Sequence, residues 1–128
     1  MEKTIISVPD LFPYTHYGFE HCVTFQRLIF ITGQAGINKK GEVISELIEK
    51  QTEATFENIE HALKAAGSNL HKLLSMTCYI VDIQKNGPAF WAVRKKMMPS
   101  TGYTSATIGV SALADPRLLL EIQCIGYR

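Results

Sequence analysis

The sequence predicts an α+β domain, a mixed β-sheet with two helices packed on one face, and three observations carry that prediction. Periodic segments follow one another in the order β-loop-ββ-α-β-α-ββ, which sorts strands and helices into separate layers. Residues 45–66 place Leu47, Ile48, Phe56, Ile59, Ala62, Leu63 and Ala66 at helical spacing, giving one apolar face for a sheet. Residues 28–31 (Leu-Ile-Phe-Ile) are apolar on both sides of a strand, so both sheet faces need cover. The helices cover one. In a chain of 128 residues the simplest cover for the other is a second copy of the same chain.

Residues 4–8 read as a short strand. Pro9 and Pro13 then hold a loop rich in aromatic residues, in which Tyr14, His16 and Tyr17 either line a pocket or pack as a flap. Residues 18–25 and the run from Leu28 form a hairpin across Gln26-Arg27. The second of these strands stops at Thr32-Gly33-Gln34, where the missing side chain of Gly33 lets a ligand or a neighbouring backbone approach closely. The long helix takes Ser45 as N-cap and Gly67 as its stop. Asn69 to Leu73 is a single helical turn and residues 74–82 a strand. Asn86-Gly87-Pro88 breaks the chain, with Pro88 in the first turn of a second helix that ends at Pro99. Phe90, Trp91, Val93, Met97 and Met98 give that helix a packing face. Residues 103–113 and 118–126 complete the sheet. The second of these contains Glu121 among apolar neighbours, and a carboxylate buried there needs partners, whereas one on the strand's polar face does not.

Charge and cysteine usage narrow the function classes. The formal net charge of +1 supplies no field for nucleic acid or an anionic membrane, and Arg94-Lys95-Lys96 is the only basic run. No apolar run is long enough to span a bilayer, and the N-terminal residues do not read as a signal peptide. Cys22, Cys78 and Cys124 are odd in number, widely separated and without a CxxC spacing, which predicts buried free thiols, a reducing compartment and a cytoplasmic protein. His16, His21, His61 and His71 lack metal-ligand spacing, and no phosphate loop, dinucleotide fingerprint or nucleophile elbow is present, so no metal site is expected.

Several short segments, in this order, resemble one known family: Pro13-Tyr14, Ile31-Thr32-Gly33-Gln34, Gly41-Glu42-Val43, Gln51 with Asn58-Ile59, Ala65-Ala66-Gly67, the strand 77–82, and Leu120-Glu121-Ile122. Together they resemble the RidA/YjgF family of reactive-intermediate deaminases, often labelled endoribonuclease L-PSP. The resemblance implies a chorismate-mutase-like fold, a homotrimer with clefts between subunits, and no metal or organic cofactor. It also implies hydrolysis of 2-imino or 2-enamino acids to a keto acid and ammonia. Tyr14, Gly33 and Glu121 match cleft positions. Whether Tyr14 or Tyr17 takes the tyrosine position stays open.

One departure matters. Active members of the family carry an arginine near the start of the penultimate strand that grips the substrate carboxylate. Here that position falls on Ser105 or Ala106, depending on whether the register is counted from Leu113 or from Glu121. Losing a bidentate guanidinium contact costs on the order of 2–5 kcal/mol when the partner charge is desolvated. Arg94, Arg117 or a lysine of a neighbouring subunit are the available substitutes.

The leading expectation is therefore a hydrolase of an imine, enamine or related C–N bond in a small metabolite other than a simple 2-imino acid. Glu121 is its catalytic residue. Tyr14, Tyr17, Thr32, Gly33, Gln34, Trp91, Ser105 and Thr107 are the candidate substrate-binding residues, with Ser105 and Thr107 supplying neutral hydrogen bonds where the arginine is missing. The alternative is a non-catalytic trimer that binds a small metabolite or a protein. A nuclease is disfavoured by the near-neutral charge and the absence of a suitably spaced histidine pair.

Overall fold

A computed structural model describes residues 1–128. Its strands are β1 (Thr4–Ile6), β2 (Cys22–Phe25), β3 (Leu28–Gln34), β4 (Leu73–Val81), β5 (Thr104–Val110) and β6 (Leu120–Tyr127). They form one six-stranded sheet in the order β1-β2-β3-β6-β4-β5. The helices are α1 (Ile48–Ala65) and α2 (Ile83–Met97). All pairings are antiparallel except β4 with β5, whose connection is α2. Two helices on a mixed sheet is the predicted class.

Alternation along the strands sorts side chains onto two faces. Ile29, Ile31, Met76, Cys78, Ile80, Leu120, Ile122 and Cys124 are buried in the core that also holds Phe56, Ile59 and Leu63 of α1 and Phe90 of α2. The opposite face is open. Phe25, Leu28, Phe30 and Ile108, all large and apolar, remain about two-fifths exposed there.

Element ends depart from the sequence reading for local reasons. Ser45 does not cap α1: the helix begins at Ile48 behind Leu47, and the Ser45 hydroxyl accepts from the Leu47 amide one turn earlier, at 3.0 Å. Gly67 does end it, at φ +80°, with the Ser68 amide donating to the Leu63 carbonyl and that of Gly67 to Lys64, a Schellman motif. Asn86-Gly87-Pro88 is no break. The α2 helix starts directly after β4, through Asp82 at φ +48°, and contains Pro88 rather than opening on it. The Asn86 amide instead donates to the last carbonyl of β4, Val81, at 2.7 Å. Strand β2 is shorter than residues 18–25, because Gly18 turns the chain at φ +96° and His21 points inward. Cys22, Cys78 and Cys124 are all free and buried.

Candidate functional site

The site begins with a fault in the ladder. Along β3 and β6, Ile31 pairs with Cys124 but Gln34 pairs with Ile122, so Thr32 and Gly33 together oppose Gln123. This bulge turns Gln34 into the interior and brings Gly33 against Glu121 on the neighbouring strand. A Cβ at Gly33 would lie 2.7 Å from the Glu121 Cδ and 2.9 Å from its Cγ. Gly33 has no left-handed φ, so space is the whole reason for a glycine here.

Two side chains, the buried Gln51 and the half-buried Asn58, hold the segments on either side. Gln51 of α1 donates to the carbonyls of Ser45 (2.8 Å) and Arg117 (3.0 Å) and accepts from the Leu119 amide (2.9 Å). It thereby fixes the approach to β6 and so Glu121. Asn58 donates to the carbonyls of Ala35 and Ile37, both at 3.0 Å, and fixes the exit from β3. Gly36 lets α1 come this close, because a Cβ there would meet the Gln51 Cα at 2.8 Å.

A third support lies under the aromatic loop. His21 is within 2.6 Å of the Phe12 carbonyl through Nε2 and 2.9 Å from the Gln34 Nε2 through Nδ1. A carbonyl can only accept, so Nε2 carries the proton and Nδ1 accepts from the Gln34 amide. Burial lowers the pKa of this imidazole and keeps it neutral. Tyr14 stacks on it, with ring centroids 4.0 Å apart, and Tyr17 and Phe19 lean against Tyr14 at 5.8 and 5.4 Å.

These parts enclose an open cavity of about 570 Å³ lined by Phe12, Tyr14, Tyr17, Phe19, Thr32, Gly33, Glu121 and the segment around Pro116. Glu121 accepts no hydrogen bond and makes no ion pair within the chain. Desolvation by burial raises its carboxyl pKa. The Tyr14 phenol is pushed up to about 12 by burial and by the charges of Glu121 and Tyr17, so it stays protonated.

Tyr14, Tyr17, Thr32, Gly33 and Glu121, all expected from the sequence, thus share one cavity. Gln34 stands behind its wall, on His21. Trp91 lies on α2 against Gly87, away from it. Ser105 and Thr107 are not brought together with Glu121. Their register partners are Met76 and Cys78 on the helix-covered face, whereas Glu121 pairs with Tyr79 on the open face, in one row with Ile108. Of the two positions offered for the missing arginine, only Ala106 shares the face of Glu121. Both possible intrachain substitutes are engaged: Arg94 with Ser105 (2.9 Å) and Arg117 with Asp115 (2.9 Å). Sequence reasoning missed Phe12, Phe19 and His21, whose only signal was the aromatic density of the loop.

A two-helix layer on a mixed sheet, with a bulged strand setting a glycine against a half-buried carboxylate, defines an α+β protein with a cavity of metabolite size. The comparisons are specific. The family model described as Endoribonuclease L-PSP matches residues 11–127, and the chain belongs to this family, the RidA/YjgF proteins. Mmf2, a mitochondrial protein of Schizosaccharomyces pombe, is 35% identical over 100 residues, covering 77% of this chain and 78% of the relative. Reactive Intermediate Deaminase A of the Arabidopsis thaliana chloroplast is 27% identical, over 84% of this chain and 57% of its own length. Yeast Mmf1 has the same fold, with a TM-score of 0.92 at 19% identity over 99% of both chains.

Proposed function

We propose that this chain is a C–N hydrolase acting on an imine or enamine of a small metabolite, with Glu121 as the catalytic residue. The supporting observation is the unpaired Glu121 carboxylate, aimed into a cavity beside Gly33 and raised in pKa by burial. A general base is most effective when its pKa moves toward the working pH. As a water oxygen bonds to the carbon of the protonated imine (an enamine first takes a proton at carbon to reach this form), Glu121 takes one of the water's protons, leaving a neutral carbinolamine. The protonated carboxyl then returns that proton to nitrogen. The C–N bond breaks, ammonia or an amine leaves with the electron pair, and loss of the hydroxyl proton gives the carbonyl product. Tyr14 and Tyr17 wall the substrate, and Thr32 and Gly33 offer it backbone and hydroxyl contacts.

The working form in this reading is a homotrimer with the cavity at a subunit boundary. Strand β5 supports it, because Ala106, Ile108 and Val110 face away from the helices while Ser105 and Thr107 face toward them. An edge strand that turns its apolar side outward calls for a partner surface. No basic side chain lines the cavity. That favours substrates other than simple 2-imino acids, and it equally supports the second reading, a metabolite-binding trimer without catalysis. A reducing compartment, in our reading the cytoplasm, suits three buried free thiols.

The test is ammonia release from freshly generated 2-aminoacrylate and from a carboxylate-free imine. Acceleration of the second, abolished in Glu121→Gln, is the expected result. No acceleration of either leaves the binding trimer.

A further inference from the structure

The charge and surface character of the Glu121 cavity narrow the hydrolase reading further. Two acidic residues line it, and no Lys, Arg or His does. The two are not equivalent. Asp115 is neutralised by Arg117, whose Nε and Nη2 reach its two carboxylate oxygens at 3.2 and 2.9 Å. Glu121 has no counter-ion in the chain. Lys39 borders a separate small crevice that shares Phe12 and Tyr14 with the cavity, and Asp10 lines that crevice too. The cavity therefore presents one uncompensated negative charge.

Its rim is aromatic. Tyr17 and Phe19 are 60% and 48% exposed, with stacked rings 6.2 Å between centroids, and Tyr14 completes the group. Exposed aromatic faces beside a carboxylate attract cations through the ring quadrupole, and an apolar body packs on the same rings. A ligand carboxylate would meet the like charge of Glu121 with no basic group of the same chain to offset it.

We infer that the cavity selects an organic cation, a protonated amine or iminium on an apolar body without a carboxylate, held by Glu121 and the faces of Tyr14, Tyr17 and Phe19. This rests on the hydrolase reading only for its substrate class, which it narrows, and it holds equally for a binding protein without catalysis. The recognition step is an equilibrium and needs no turnover, so the two ideas fail separately.

The test is titration calorimetry or ligand-observed NMR on the full-length protein with three matched probes: benzylammonium, benzyl alcohol and benzoate. Benzylammonium is expected to bind about tenfold or more tighter than the alcohol, with benzoate weakest. Glu121→Gln should bring ammonium and alcohol to within about twofold of each other, and Glu121→Asp, which keeps the charge, should restore part of the gap. Phe19→Leu should weaken the ammonium by roughly threefold to tenfold with a smaller effect on the alcohol. Equal binding of ammonium and alcohol by the unaltered protein, or preference for benzoate, overturns the inference. Loss of imine hydrolysis with cation binding intact overturns only the hydrolase.

Discussion

Gly33 and Glu121 meet because one lacks a side chain, and that gives a clear substitution. Gly33→Ala places a methyl where the Glu121 carboxylate lies, so the carboxylate must move. We expect a stability loss of roughly 1–3 kcal/mol, from overpacking, in urea denaturation. Ligand binding or activity should fall further than that loss explains. Glu121 also bears on stability through pH. Burial raises its folded-state pKa, so its contribution is fully present below the unfolded carboxylate range and is lost as pH rises through the folded value. Glu121→Gln should therefore melt at a higher temperature than the parent at pH 7. That advantage should shrink toward zero in melts below about pH 4. A variant that gains stability while losing ligand recognition marks a residue kept for its chemistry.

At the level of elements, the bulge in β3 and the two amides on α1 carry the site. Gln51→Leu keeps the volume but removes three hydrogen bonds and leaves the Leu119 amide and two carbonyls unpartnered. It should cost roughly 2–4 kcal/mol in chemical denaturation and loosen the approach to Glu121. Much of this was legible in the sequence. Glu121 stood out as a carboxylate among Leu and Ile, and Gly33 as a glycine ending an apolar strand. The faces of β5 were not legible. Alternation tells which residues of one strand share a side, but not which side meets the helices. Apolar residues are ordinarily assigned inward, and in β5 Ala106, Ile108 and Val110 point outward. Pro88 misled in a similar way, because proline suits a first helical turn while α2 holds it deeper. The fold class survived these errors, since it rests on long periodic segments rather than on their ends.

For the whole molecule, the open sheet face is the surface on which the proposed trimer depends. Replacing a large apolar residue there, as in Phe30→Lys, leaves the helix-covered core untouched and should convert the trimer we propose to monomer in sedimentation equilibrium. A parent protein that sediments as a monomer would contradict the trimer directly. Sheet order carries a further consequence, for how the chain reaches this state at all. Strand β6 follows every other strand in sequence, yet it lies between β3 and β4. Before it is made, β1-β2-β3 and β4-β5 are two half-sheets with no hydrogen bond between them. Each presents an unpaired inner edge suited to joining another chain. On the ribosome the protein stays vulnerable to such misjoining until β6 emerges, and a nascent chain ending before Leu118 has neither a closed core nor Glu121. Assembly in the cell would thus wait on β6, and chaperone dependence should peak just before that strand emerges.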